Sequence, residues 1–382
     1  MGRAYPSSVA GNARAGRPSG TGTPTTRPRG RQAKRAPACL RPHDVRSGAA
    51  RRVAPVSDSS RLPAEQPPRV VAVVVTHDRI ALLQRLVERL GEVGARPGSP
   101  LVEVLVVDNA STDGTGEWLA GLTDREMPDE HASTPVLGRT LAENTGGAGG
   151  FHAGLAWAVE RGADLVWLMD DDGLPDHDCL DLLLEHRGEL DFWGPVVVDE
   201  ADPGRLVFPI RLPGGTRVVH RMADVAAAAD EAGLIRDVVI PFNGVLVTRE
   251  LVERIGTPRE EFFIWGDDHE YRLRAERAGG RIATVVGARV LHPSVGELGT
   301  PMMGGRTTYN HSPSDLKHYC MARNNLLNLR EYRGWPHALA FVAKTLWFYT
   351  VTRPQPRRLV LSARAWVAAL RGDFTGHRRF LA

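Results

Sequence analysis

The sequence has little of what marks many specialised chemistries. Only three cysteines occur in 382 residues, Cys39, Cys179 and Cys320, and no two form a C-x-x-C pair. Three scattered thiols argue against a disulfide framework and against a thiolate zinc site. No stretch approaches the ~20 consecutive apolar residues that a membrane-spanning helix needs. The N-terminus lacks the continuous apolar segment of a secretory signal, so the chain reads as cytoplasmic. The glycine-rich run at 146–150 fits neither common phosphate fingerprint. His152 stands where the last glycine of G-x-G-x-x-G belongs, and no Gly-Lys-Ser/Thr follows. A Rossmann cofactor site and a P-loop both lose support. Internal repeats are absent.

Excess positive charge is missing from the part of the chain with the periodicity to fold. The whole chain carries a formal charge of +3 and a pI of 8.9. Residues 1–69 hold 14 Lys/Arg against Asp44, Asp58 and Glu65, a net +11, which leaves about −8 for the remainder. The high pI is thus a property of the tail, and the folded part is no nucleic-acid binder. The tail is rich in Arg, Pro, Gly and Ser and is expected to be disordered. A solvated extension, an arm toward anionic lipid and a nucleic-acid arm are its open readings.

From Val70 the pattern changes. Val70–Val75 and Val102–Val107 are β-branched runs expected as strands buried on both faces, and Leu165–Met169 is a third. Helices are expected between them, one with Leu82, Leu83, Leu86, Val87 and Leu90 on a stripe, another through Phe151, Leu155 and Val159. Later strand candidates are Gly194–Val198, Val238–Ile240, Gly244–Val247 and Ile282–Val286, and helix dominates from about Ser314. The alternation predicts an α/β fold with a doubly wound, mostly parallel sheet, whose ligands sit beyond the carboxyl ends of the strands. His77/Asp78, Asp108 and Asp170–Asp172 all fall there.

Asp170-Asp171-Asp172 closes an apolar strand. Three adjacent carboxylates repel one another unless a cation sits among them. Alternate residues of an extended segment point the same way, so Asp170 and Asp172 can share a hard divalent cation, Mn2+ or Mg2+. The bland alternative is a solvated acidic turn. His292, before Pro293, is the natural further metal ligand, and a structural histidine is the competing reading. Asp267-Asp268 joins the aromatic run Phe262-Phe263-Ile264-Trp265 to a helix. Either acid could be a simple N-cap, or a general base for a sugar hydroxyl. Trp265 would suit a sugar face, and core packing explains it almost as well.

These segments resemble the family 2 glycosyltransferases of GT-A fold. The resemblance lies in Thr76-His77-Asp78-Arg79, Val107-Asp108-Asn109 and Ser111-Thr112-Asp113-Gly114. Asn144 with Gly146-Gly147, and Trp167-Leu168-Met169-Asp170-Asp171-Asp172-Gly173, are similar to the galactofuranosyl- and rhamnosyltransferase branch. So are Arg205-Leu206-Val207-Phe208-Pro209, Phe242-Asn243-Gly244, Gly266-Asp267-Asp268-His269-Glu270, Leu291-His292-Pro293 and Arg323-Asn324, in order over about residues 70–360. The nearest likeness is to galactofuranosyltransferases that initiate actinobacterial arabinogalactan synthesis.

The resemblance implies a UDP-galactofuranose donor. It implies as acceptor a rhamnosyl-N-acetylglucosaminyl-diphospho-polyprenol, a polyprenyl-diphosphate-linked glycan, at the inner face of the membrane. By the same resemblance Thr76, Asp78 and Asp108 contact the uridine, with Asn144, Gly147 and Asp171 nearby. Asp170 meets ribose or metal, Asp172 and His292 the metal, and Arg323 the diphosphate. Asp268 is the base, with Asp267 its close rival, and Trp265 and Glu270 face the acceptor. The domains implied are a basic tail (1–69), a transferase domain (70–300) and a mainly helical region (301–382), possible membrane-interface material. The tail has no counterpart in the family. Rival readings are a dTDP-rhamnose transferase on the same scaffold, a sugar-nucleotide-binding protein without catalysis, and an aspartyl-phosphate phosphohydrolase. The last has Leu174 where its chemistry usually wants Thr.

Overall fold

A computed structural model of the chain describes residues 67–123, 134–215, 217–296 and 299–381. They lie within one unit, Ala64–Ala382, and the reading of the basic tail falls almost wholly outside them.

The N-terminal half is built as its apolar runs dictate. Strand β1 (Val70–Thr76) leads to helix α1 (Ile80–Gly94), β2 (Leu101–Asp108), α2 (Thr115–Thr123), β3 (Val136–Thr140), α3 (Gly146–Glu160) and β4 (Leu165–Asp170). Successive side chains of β1 alternate between two cores. Val70, Ala72 and Val74 join one with Leu83, Leu86 and Leu90 of α1, while Val71, Val73 and Val75 join the other with Phe151 and Leu155 of α3. That is why the run is apolar at every position rather than at every second one.

The sheet order is β3-β2-β1-β4-β10-β6-β11-β5. Its later members are β5 (Leu174–Pro175), β6 (Phe192–Asp199), β10 (Asn243–Thr248) and β11 (Ile282–His292), with α4 (Cys179–Leu184) after β5. β1 is parallel to both β2 and β4, whereas β10 runs antiparallel between β4 and β6. The register aligns Thr76 with Asp108 and Val75 with Asp170, so three predicted site positions lie side by side at one sheet edge.

Two departures from expectation concern the second half. The strand expected at Ile282–Val286 runs on to His292, with a register slip between Val285 and Arg289 that lets both ends pair with β6. Val238–Ile240 is not in the ladder. The strand there is β9 (Leu234–Arg236), paired with Ala283–Val285, and Asp237 at φ 62° turns the chain out of it. β7 (Arg205–Arg211) and β8 (Val218–Arg221) form a ribbon beside β6, followed by α5 (Met222–Ala228). Helices α6 (Arg249–Ile255) and α7 (Asp267–Arg277) flank the β10 to β11 crossover. After β11 come the hairpin β12 (Thr300–Met302) and β13 (Thr307–Tyr309), then helices α8 (Asp315–Asn328), α9 (Trp335–Trp347) and α10 (Pro356–Arg371). Among the described residues no helix is long and apolar enough to cross a membrane.

The glycine run opening α3 now has a packing explanation. A Cβ at Gly150 would lie 2.4 Å from Val75 Cγ1, and one at Gly154 2.4 Å from Val73 Cγ1. The helix therefore rides directly on β1. At Gly147, by contrast, a Cβ meets nothing within 4 Å. We expect Gly154→Ala to lower stability by about 1–3 kcal/mol through overpacking. Gly147→Ala should cost little, and denaturant titration of both variants checks the contrast.

Candidate active site

The loops after β1, β2 and β4 are tied into one polar edge. Thr76 Oγ1 donates to Asp171 Oδ2 at 2.7 Å, and Arg79 Nη1 lies 3.0 Å from Asp171 Oδ1 and 2.7 Å from Asp172 Oδ2. Asp171 is buried, and its neighbours Asp170 and Asp172 are half-buried. Asp108, also buried, accepts from Ser111 N and Thr140 Oγ1. Asp78 holds a left-handed turn at φ 53°, its Oδ1 accepting from Thr112 N at 2.6 Å. Asn144 Oδ1 accepts from Gly146 N, which leaves its Nδ2 to donate to His77 Nε2 at 2.9 Å. His77 Nε2 also lies 3.5 Å from Asp78 Oδ2, and its Nδ1 is buried with no partner.

His292 reaches the triad because β5, two residues past Asp172, pairs antiparallel with Val290–Leu291 of β11. His292 Nε2 lies 3.1 Å from Asp172 Oδ1, and its Nδ1 bonds Pro293 O at 2.7 Å. The carbonyl fixes Nδ1 as the protonated nitrogen, so Nε2 of a neutral ring presents a lone pair to Asp172. Asp172 Oδ1 is buried and accepts no well-aligned hydrogen bond despite that approach. Two facing acceptors need a proton or a cation between them. Burial works against the His292 cation, but the adjacent Asp172 carboxylate outweighs it and raises the pKa. Burial likewise opposes ionisation of Asp172, and His292 and Arg79 together hold its pKa below the usual value. The pKa of Asp170 is pushed far up by burial, then by the charges of Asp172, Asp171 and Asp267. This donor set suits a hard cation, although among the described residues no three acidic, His or Cys side chains already stand at ligand spacing.

The second acidic cluster opens α7. Gly266 caps it at φ 92°, and Asp267 and Asp268 occupy its first turn. Both carboxyls are shifted upward, Asp267 to about 8, by burial and then by the charge of Asp268. Asp268 is the more exposed of the two, and its Oδ1 accepts from His269 N at 2.6 Å. Asp170 feels the charge of Asp267, so the end of β4 lies near the start of α7.

Residues 71–214 match the family described as Glycosyl transferase family 2. Galactofuranosyltransferase GlfT1 of Mycobacterium tuberculosis is 32% identical over 303 residues, 76% of this chain and 91% of that protein. The chain belongs to glycosyl transferase family 2. GlfT1 of Mycolicibacterium smegmatis is 29% identical over 309 residues, 78% of this chain and 94% of that protein. Among solved structures, the Pyrobaculum calidifontis mannosyltransferase PcManGT, in complex with GDP-Man and Mn2+, aligns at TM-score 0.43 with 19% identity, over 80% of this chain and 76% of that one. The protein is therefore an enzyme, a glycosyltransferase with a GT-A-type mixed sheet and a helical C-terminal region.

Two residues expected at the ligands, Arg323 and Glu270, have their polar atoms taken up by the protein's own groups. Arg323 is completely buried. Its guanidinium donates to the carbonyls of Phe262, Glu261 and Phe374 and to Asn324 Oδ1, so it meets no diphosphate. Glu270 is also buried, with Arg274 on one oxygen and the Tyr332 hydroxyl on the other, and neither oxygen is left for an acceptor. Trp265 is half-buried against the cluster of Met302, Tyr309 and Met321.

What α8 does instead was not visible in the sequence. Phe263 and Trp265 both adopt φ 66°, a conformation that costs side-chain-bearing residues of order 1 kcal/mol or more each. Asn324 Nδ2 donates to the carbonyls of Phe262, Ile264 and Trp265, and Asn328 Nδ2 to that of Gly266. The strained turn that aims the Asp267/Asp268 pair is thus stapled by α8. Asn109 does similar service at the other edge, accepting from Thr145 N and donating to Gly146 O. The sequence marked Arg323-Asn324 only as part of the family resemblance, without its partners.

Asn324→Ala should lose about 1–3 kcal/mol of stability by orphaning buried carbonyls. Asn324→Asp should lose more, since it sets a carboxylate against them, and chemical denaturation reads both. For Asp267 the folded pKa lies above its unfolded value of 3.8, so its ionisation costs stability as pH climbs from there toward about 8. Asp267→Asn should therefore be more stable than the parent at pH 8.5, by at least the ~1.4 kcal/mol of one pKa unit. At pH 4 the gain should be largely gone, and thermal unfolding at the two pH values tests it.

Proposed function

We propose that this enzyme transfers galactofuranose from UDP-galactofuranose to a rhamnosyl-N-acetylglucosaminyl-diphospho-polyprenol, with inversion at the anomeric carbon. What supports the mechanism is the nearness of the β4 acids, with His292 beside Asp172, to the acid pair of α7. The similarity to GlfT1 over most of both chains supports the donor and acceptor classes.

In this reading the nucleotide lies along the edge formed by Thr76, Asp78, Asp108, Asn144 and Gly147, where a ligand would satisfy the buried Nδ1 of His77. The bare Gly147 position admits close backbone approach. Arg79 and the N-terminus of α3 add positive potential for the diphosphate. Asp170, Asp172 and His292 would hold Mn2+ or Mg2+, whose charge would stabilise the departing diphosphate. Asp171 serves as the buried anchor that keeps Arg79 and Thr76 in place.

The Asp267/Asp268 pair supplies the base, and Asp268, the more exposed, takes the proton from the acceptor hydroxyl. A carboxylate raised toward neutrality by burial holds a proton well enough to accept it in the transition state. The freed oxygen attacks the anomeric carbon from the face opposite UDP. The new glycosidic bond forms as the bond to the diphosphate breaks, and UDP leaves with that electron pair. Arg323 and Glu270 act at a distance, by fixing the turn before α7 and the body of the helix.

The acceptor's lipid sets the remaining part of the reading. α9 and α10 expose Trp335, Leu339, Leu346, Trp347, Val360, Val367 and Leu370, interleaved on α10 with Arg364 and Arg371. Amphipathic helices of this kind lie at a membrane interface, so peripheral attachment to the inner membrane face is part of the proposal.

Incubation with UDP-galactofuranose and a synthetic rhamnosyl-GlcNAc diphospholipid, read by mass spectrometry, should show one added hexose. The addition should vanish with EDTA and return with Mn2+ or Mg2+. Asp268→Asn should slow it by about 10²–10⁴-fold, the usual contribution of a general base. Transfer from dTDP-rhamnose in place of UDP-galactofuranose would overturn the donor assignment, and turnover unaffected by EDTA would overturn the metal.

A further inference from the structure

Beside the acid pocket is a second cavity, of about 470 Å3, between the β7–β8 ribbon, β13, α8 and α9. It neighbours both halves of the reaction site. Phe208 at its rim packs edge-on against the His292 ring, with centroids 5.3 Å apart. Tyr309 and Met321 in its wall belong to the cluster against which Trp265 packs, two residues before Asp267. A molecule in this cavity therefore lies within reach of the metal-side histidine and of the loop that carries the base.

Its chemistry is that of an anion site. Arg211, His220 and Lys344 line it, and none of the described lining residues is acidic. Neutral donors come from Asn310, Asn325 and Thr308. Arg211 and Lys344 are close enough that, after burial, the arginine's charge is the further cause depressing the lysine's pKa. A guanidinium and an ammonium lining one cavity offer a phosphate group donors of the right charge. Lys344 also has an apolar path beside it. It faces the cavity with Phe341 from α9, whose outer face exposes Leu339, Leu346 and Trp347.

We propose that this cavity seats the diphosphate of the acceptor, with Arg211 and Lys344 as its cationic clamp and the lipid leaving along the exposed face of α9. The assignment rests on the acceptor class proposed above and fills the role that buried Arg323 does not. The clamp holds the end of the acceptor remote from the reacting hydroxyl. Its binding energy is then available to hold the glycan in line between His292 and Asp268.

The test is a calorimetric titration of the full-length protein with farnesyl diphosphate, UDP being kept saturating to block the donor edge. The parent should bind. The double variant Arg211→Ala/Lys344→Ala should bind at least tenfold more weakly, and Lys344→Gln alone, a mild change, should weaken binding measurably. Arg357→Ala, a basic residue on α10 outside the cavity, should bind as the parent does. Absence of binding by the parent, undiminished binding by the clamp variants, or equal loss in Arg357→Ala would overturn the site. The titration needs no sugar transfer. A failed transfer assay with clamp-dependent binding sinks only the proposed reaction, and successful transfer with clamp-independent binding sinks only the cavity's role.

Discussion

Repulsion among carboxylates at the carboxyl end of β4 is the constraint on which the site depends. Three consecutive acids follow an apolar strand, and burial raises the cost of charging each of them. The protein divides the problem. Asp171 turns inward and is neutralised by Arg79 and the Thr76 hydroxyl, which locks the end of β1 to the end of β4. Asp172 is shared between Arg79 and His292. Asp170 keeps a strongly raised pKa, in effect an unmet demand for positive charge. An arrangement so short of cations is costly for folding alone, and it suits a site meant to receive a cation and an anionic leaving group together.

The opposite side of the pocket solves a different problem by similar means. A base at a helix N-terminus needs a sharp entry turn, and here that turn contains two residues with side chains at φ 66°. Such strain persists only where the surroundings over-determine it. Arg323, Asn324 and Asn328 supply that constraint by donating to carbonyl after carbonyl from Glu261 to Gly266. Buried residues of α8 thus set the position of the Asp267/Asp268 pair.

Legibility in the sequence followed the range of the interactions. The β-branched runs at 70–75, 102–107 and 165–169 were readable because each is a strand buried on both faces, and their polar ends marked the ligand edge. The pairing of Asp172 with His292 was readable only as a chemical complement; the β5–β11 ladder that produces it joins segments more than a hundred residues apart. Arg323 and Glu270 were misplaced because a charged residue beside a motif invites a ligand role, while its actual partners are backbone carbonyls and a tyrosine contributed by distant turns. The β7–β8 ribbon and β9 lacked strong period-two patterning and owe their existence to neighbours in space. The glycines of α3 were visible as a motif, yet their cause, the side chains of Val73 and Val75, lies on another element.

The antiparallel strand β10 in the middle of the sheet has a temporal consequence. Everything on the nucleotide edge comes from the first part of the folded chain, and β1, β2 and β4 pair with one another without help from the second half. The base loop and His292 are synthesised later, and the donors that hold the base loop emerge from the ribosome later still, on α8. The strands that carry Thr76, Asp108 and Asp170 are therefore all synthesised before the turn that carries Asp267 and Asp268. Competence arrives last, with the helices that also carry the exposed apolar surface.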